Sequence, residues 1–205
     1  MNKNQQSQNR YRELKDGAYY HIVNRGVAKS KTFLDEEDYD LFIRLLKRGC
    51  EHYDVKLIAY SLMPNHIHLL VLTVNGDRVS DCMQWVTGNY ARIFNLRHDR
   101  KGHLWQGRFR SKEVVEGRQL GNTWRYVEQN PVRARLVDSP EQWEWTSAHM
   151  RNNATKGSFL TEPQWWGSEK MKRWWSNERL STKEVHQIRE ALQNSTLLET
   201  LVDSC

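Results

Sequence analysis

The chain has 205 residues, 38% hydrophobic and 27% charged, which suits one substantial core in a soluble protein and provides no apolar run long enough to span a membrane. Its net charge of +6 favours a polyanionic partner. Three scattered cysteines (Cys50, Cys82, Cys205) without a CxxC pair exclude a cysteine zinc site or disulfide framework, and with a polar N-terminus they point to the cytoplasm.

Residues 1–16 read as a flexible lead-in. "GAYYHIVNRG" has strand composition, with Tyr19, His21 and Val23 on one face and Tyr20, Ile22 and Asn24 on the other. In "LDEEDYDLFIRLLKRGCEHYD" the acids at 35–38 precede a helical recurrence of Tyr39, Phe42, Leu46 and Tyr53, and they suit the positive end of a helix dipole. "VKLIAYSLM" and "HIHLLVLTV" form an antiparallel pair about a tight Pro64–Asn65 turn. Residues 79–98 fit a helix, "HLWQGRFRSKEVV" a strand interrupted at Gly107, and residues 117–130 a helix ended by Pro131.

The order β-α-β-β-α-β-α predicts an α+β, ferredoxin-like split βαβ fold, an antiparallel sheet with helices on one face and a further helix after the last strand. The predicted core domain spans 17–138. Residues 139–205 form a tryptophan-rich, helical and loop-rich extension, including Trp143, Trp145, Trp165, Trp166, Trp174 and Trp175. Its last helix is amphipathic, with Ser181 and Glu184 spaced as a capping box.

His66 and His68 are two apart in a strand and project to one face, opposite Ile67, Leu69 and Val71. Two such imidazoles can share a divalent cation, although the spacing alone more often marks two partly buried histidines satisfied by neighbours. Tyr126 and Asn130, four apart, share one face of the last core helix, and Asn122 extends that stripe. Leu120, Trp124 and Val127 supply the packing side. A side-chain carbonyl suits a hard cation such as Mg²⁺ or Mn²⁺, and the tyrosine oxygen can attack a phosphate held there. On spacing alone Gln129 serves as well as Asn130, and a core-edge tyrosine with a C-terminal cap needs no chemistry.

Between Arg97 and Arg118 lie seven Lys or Arg against three acids, interleaved with Trp105 and Phe109. That mixture suits phosphates and stacked, unpaired bases. Arg100, Lys101, Trp105, Arg108, Arg110 and Lys112 make the expected DNA track, joined by Arg125 and Arg133 on either side of the polar stripe. Ordinary surface charge explains Arg108 and Arg110 about as well.

Together "YHIVNRG", "FLDEEDYDLFIRLL", "AYSLMPNHIHLLV", "GHLWQGRFRS" and "YVEQNPVRARLV" resemble the REP-associated tyrosine transposases, single-domain relatives of the IS200/IS605 transposases within the HUH endonucleases. The resemblance runs from about Tyr19 to Val137. It implies that His66-Ile67-His68 is the metal motif, Asn130 the third ligand and Tyr126 the nucleophile, with Mg²⁺ or Mn²⁺ as cofactor. It further implies single-stranded DNA folded into imperfect palindromic hairpins beside a guide tetranucleotide, a 5′-phosphotyrosine intermediate, and action as a monomer. One departure is Arg135, where relatives often carry glycine. Two other readings remain open: a non-catalytic single-strand-binding module of the same sheet pattern, and an HUH replication initiator. Initiators commonly use two tyrosines, and here only Tyr126 lies in a matching motif.

Overall fold

The computed structural model describes residues 14–153, 159–163 and 180–202. Trp165, Trp166, Trp174 and Trp175 fall outside these residues, as does most of the expected lead-in. The strands are β1 (Tyr19–Arg25), β2 (Lys56–Met63), β3 (His66–Leu72) and β4 (Arg110–Val114). The helices are α1 (Glu36–Tyr53), α2 (Gly76–Arg97), α3 (Arg118–Glu128), α4 (Asn130–Arg133), α5 (Ser147–Asn152) and α6 (Thr182–Val202). The sheet order is β2-β3-β1-β4 with every pairing antiparallel, as a split βαβ unit requires. Among the described residues no helix is long and apolar enough to cross a membrane.

Strand alternation sends apolar side chains to both sides of the sheet. Tyr20, Ile22, Leu57, Leu62, Ile67, Leu69 and Val71 pack under α1 and α2, against Phe42, Leu46, Val86, Tyr90 and Phe94. Tyr19, Ile58, Leu70 and Val114 face the other way and bury Leu120, Trp124 and Val127 of α3. The two helices expected on one face are α1 and α2, and the face expected to be open carries α3. The second apolar row has to be covered, and α3 covers it.

The α1–α2 pair is fixed at opposite ends of its length. Asp35 caps α1 by accepting from the Asp38 backbone N–H at 3.0 Å, and three acids occupy the first turn. Arg97, at the end of α2, reaches Asp35, Glu37 and Asp38, while His98 lies 3.0 Å from Asp38. Cations and anions thus complement both dipoles at one junction. Farther along, the helices cross so closely that a Cβ on Gly49 would sit 2.6 Å from Val86.

Two sequence-based boundaries shift. The expected strand over 103–115 is regular only from Arg110 to Val114. Before it the chain turns at Gly102, whose φ is 90°, and Trp105 makes an isolated bridge with Gly26. The last core helix does not stop at Pro131. After a break at Gln129 it resumes as α4 with proline in its first turn, where the missing N–H would have had no helical acceptor.

The extension after residue 139 begins as part of the core. Strand β2 is a sheet edge, and Leu62 N–H donates to Trp145 O at 2.9 Å while Thr161 N–H donates to Leu57 O at 2.7 Å. The Trp143 indole donates to Leu62 O at 2.9 Å. Buried Glu128 accepts from the Ser147 hydroxyl and from Arg151, whose guanidinium also lies 4.6 Å from the Trp124 ring centroid. This pairing both covers an edge that would otherwise recruit other strands and holds α3 down.

α6 starts with the anticipated capping box: Ser181 N–H donates to Glu184 at 2.9 Å and Glu184 N–H to the Ser181 hydroxyl at 3.3 Å. Glu184 is further tied to Asn122 of α3 at 2.9 Å.

Arg135, just past α4, adopts φ 57°, with its N–H on Val132 O at 3.0 Å. This is the left-handed position that follows many helices and suits glycine; a side chain there costs about 1 kcal/mol. Arg135→Gly is expected to raise unfolding free energy by roughly 0.5–1 kcal/mol in urea titrations; an unchanged or lower midpoint would contradict this account.

Candidate functional site

The β1–β3 register decides what the two histidines meet. His68 pairs with Val23, His66 with Arg25, and Leu70 with His21, and directly paired residues share a face. His21, Arg25, His66 and His68 therefore point to the α3 side. They do not look out from an open sheet: His68 is 5% exposed and His21 2%. Tyr126 enters from α3, its ring centroid 5.7 Å from those of both His68 and His21, edge-on to each. The His66 and His68 rings lie 5.0 Å apart.

Each candidate ligand has one polar atom engaged by the protein. His66 Nδ1 lies 2.6 Å from Asn65 Oδ1, and His68 Nδ1 lies 2.8 Å from His21 Nε2. The Asn130 amide nitrogen donates to Tyr126 O at 2.9 Å and to Val127 O at 3.2 Å. What remains is the Nε2 of each histidine and the Asn130 Oδ1, a nitrogen–nitrogen–oxygen set that fits a borderline or hard divalent cation such as Mn²⁺ or Mg²⁺. Gln129, equivalent on spacing, does not line the cleft that holds the other three, whereas Asn130 does.

Asn65 is itself held, its side-chain amide donating to Lys29 O at 3.1 Å and its main-chain carbonyl accepting from Gly26 N–H at 2.9 Å. A Cβ on Gly26 would lie 2.3 Å from Ser30 O. Glycine in "VNRG" thus permits the tight loop against which the turn before His66 rests.

Burial governs the charge state of the imidazoles. It lowers His21 to about 3, with help from Arg133, and His66 to about 4, with help from Arg25. His68 falls well below the ordinary value, through burial first and its histidine neighbours next. All three are neutral at pH 7 and keep lone pairs for a cation.

The cleft holding this group encloses about 840 Å³ and is lined also by Arg25, Arg108, Arg110, Arg133 and Arg189. The Arg133 guanidinium sits 4.2 Å from the Tyr126 ring centroid and donates to the Tyr126 carbonyl. Burial lowers Arg133 to about 10, which leaves it a cation at neutral pH.

The structure thus brings together His66, His68, Tyr126, Asn130, Arg108, Arg110 and Arg133. Other expected DNA-binding residues go elsewhere. Arg125 is 2% exposed, so this side chain is not offered to DNA. Trp105 is no free stacking platform: its indole donates to Thr87 O at 3.0 Å and its ring packs near Phe42 and Tyr90. Arg100 lies 5.5 Å over the Phe94 ring. Lys101 is exposed on the loop, outside the residues lining the cleft. Lys112 lines a neighbouring cavity beneath α6. Asp35, Asp38 and His98 also cluster at metal-binding spacing, but the Arg97 guanidinium already pairs with both carboxylates.

Sequence reasoning missed His21, Arg25 and Arg189. The facing of His21 was legible, but its pairing to His68 depends on inter-strand register. Arg189 belongs to a helix whose docking site lies about sixty residues earlier in the chain, at Asn122.

A cleft that sets a tyrosine against imidazoles and a ring of guanidiniums offers a nucleophile, nitrogen donors for a cation and cations for an anion. The family model described as Transposase IS200 like matches residues 15–130, and the chain belongs to that family of transposases. A Haemophilus influenzae protein named as a REP-associated tyrosine transposase is 27% identical over 146 residues, covering 66% of this chain and 81% of that protein. A solved REP-associated tyrosine transposase, bound to a REP hairpin, shares the fold with a TM-score of 0.57 at 16% identity, over 86% of this chain and 99% of that one.

Two outcomes follow from burial. Arg125→Ala is expected to cost about 3 kcal/mol of stability, because it empties a buried position in α3; a stable variant with weakened DNA binding would refute the assignment. Each buried imidazole stays neutral in the folded protein but protonates near 6.5 once unfolded, so the unfolded chain binds more protons below that pH. Stability is complete above pH 6.5 and declines toward about pH 4, where His66 itself protonates. The slope is up to about 1.4 kcal/mol per pH unit for each imidazole. Urea midpoints in EDTA at pH 7.5, 6 and 5 measure it, and a flat profile would contradict the burial argument.

Proposed function

We propose that this chain is a metal-dependent, single-strand-specific DNA endonuclease and strand transferase that acts at imperfect palindromic hairpins through a covalent 5′-phosphotyrosine on Tyr126. The observation that carries the reading is the meeting, within one chain, of the Tyr126 ring with the His68 ring at 5.7 Å in a cleft that Asn130 and His66 also line. The solved relative is bound to a REP hairpin, and that likeness supports hairpin DNA as the substrate here.

In this reading His66 Nε2, His68 Nε2 and Asn130 Oδ1 hold a Mg²⁺ or Mn²⁺ ion. Bound there, the ion supplies Lewis acidity that withdraws charge from the scissile phosphate. Arg25, Arg108 and Arg110 seat the flanking phosphates. The Tyr126 oxygen attacks phosphorus in line, the P–O3′ bond breaks, and the departing 3′-oxygen takes up a proton as the tyrosine loses one. The phosphate remains esterified to Tyr126, and a later 3′-hydroxyl displaces the tyrosine by the reverse step, joining strands. A phenol with a free pKa near 10 needs assistance. The Arg133 guanidinium, 4.2 Å from the Tyr126 ring centroid, holds the ring in place by a cation–π contact.

A phosphate inside a stacked duplex cannot enter a cleft walled by α3, β4 and α6, so the cut strand is single at the scissile step. The tyrosine and histidines come from the same chain, and Trp143, Trp145 and Thr161 cover the β2 edge; both features support action as a monomer.

The test uses end-labelled single strands from both flanks of the protein's own gene, with Mn²⁺ or EDTA. Expected is a denaturant-resistant protein–DNA adduct that needs metal and disappears in Tyr126→Phe and His68→Ala. Tight hairpin binding without any adduct would favour a binding-only module. Arg110→Ala is expected to weaken DNA binding and reduce the log–log salt slope by about one, with stability unchanged within about 0.5 kcal/mol. Unaltered affinity and slope would remove Arg110 from the interface.

A further inference from the structure

We infer that His21 is a positioning residue for the proposed metal centre: it fixes the tautomer and direction of His68 so that the His68 Nε2 lone pair faces the cleft. The inference rests on the reading of His66, His68 and Asn130 as ligands, and extends it to a residue outside the His-Ile-His motif.

Both rings are buried, stacked at 5.1 Å with 28° between planes, and joined by His21 Nε2 and His68 Nδ1 at 2.8 Å. Two neutral imidazoles share one proton in such a contact, which leaves two arrangements. If His21 donates, His68 carries its own proton on Nε2, and that atom has no lone pair for a cation. If His68 donates from Nδ1, its Nε2 is bare and His21 Nε2 is the acceptor. Only the second serves a ligand. Accepting that bond also raises His68 basicity and prevents the ring from flipping.

His21 then carries its own proton on Nδ1 and requires polar surroundings. It lines the cavity beneath α6, whose walls include Asn122, Thr123 and Glu184. In β1 its direct partners are Leu70 and Lys112, so no neighbouring carboxylate in the sheet competes for the shared proton. Merely filling this space would be simpler with an apolar side chain, since an imidazole brings two polar atoms to be satisfied.

The experiment measures Mn²⁺ affinity from the paramagnetic signal of the free ion, in the full chain without DNA, for wild type, His21→Phe, His21→Gln and His68→Ala. Phenylalanine preserves bulk without an acceptor; glutamine can place a carbonyl oxygen near the former Nε2. His21→Phe is expected to weaken Mn²⁺ binding roughly 10- to 100-fold, with His21→Gln recovering most of the loss and hairpin binding in EDTA retained by both. Wild-type affinity in His21→Phe, alongside loss in His68→Ala, would overturn the positioning role while leaving the ligand set intact. Mn²⁺ binding indifferent to His68→Ala would overturn both. Should His21→Phe fail to fold, imidazole ¹⁵N shifts of wild-type protein with Mg²⁺ decide: a proton on His68 Nδ1 supports the inference, and one on Nε2 refutes it.

Discussion

The row of side chains on the α3 side of β3 mixes two kinds of residue, and the rest of the molecule is arranged around that mixture. Leu70 and Leu72 are apolar anchors at one end, while His66 and His68 are polar groups at the other. The anchors need cover, and α3 supplies it with Leu120, Trp124 and Val127. Because α3 is seated by this apolar contact, its Tyr126, and Asn130 at the start of α4, arrive over the histidines. Hydrophobic burial thus aims the chemistry. A fully buried Trp124 matters here in energetic terms, since deleting such a side chain typically costs about 3–5 kcal/mol.

That docking is reinforced from behind. Glu128 would be an expensive buried charge by itself, but Ser147 and Arg151 answer it, and Arg151 also reaches the Ile58 carbonyl. One network therefore joins α3, the β2 edge and the segment after residue 139. What reads in sequence as the start of an appendage is the outer clamp of the site. The junction of Arg97 and His98 with the start of α1 does the same for the opposite layer. Two ionic clusters, both away from the cleft, hold the helices while the cleft cations stay uncommitted to carboxylates among the described residues.

Much of this was readable in the sequence wherever the signal was local. Alternation gave both faces of β1 and β3, the Tyr126–Asn130 interval followed helical pitch, and the Ser181–Glu184 cap was plain from its spacing. The failures share a cause. Arg125 looked like surface because its burial depends on what packs around α3, which is a tertiary quantity. Trp105 looked like a stacking platform because nothing near it announces Thr87 as the acceptor for its indole. The strand expected over 103–115 ignored that a chain turning at Gly102 can spend its residues bridging Gly26. His21 sat on the correct face, yet its bond to His68 follows from register, a tertiary quantity.

The bonds from the Asn130 amide to the carbonyls of Tyr126 and Val127 have an implication for how this region can change over evolutionary time. The side chain proposed as nucleophile and the side chain proposed as third donor are fastened to one another through the main chain. The spacing between them is consequently set by the main-chain path through the break at Gln129. One inserted residue there would break both bonds and displace Asn130 from its place beside Tyr126 without altering either side chain. Descendants of this chain can vary side chains across much of α3, but the interval itself tolerates neither insertion nor deletion.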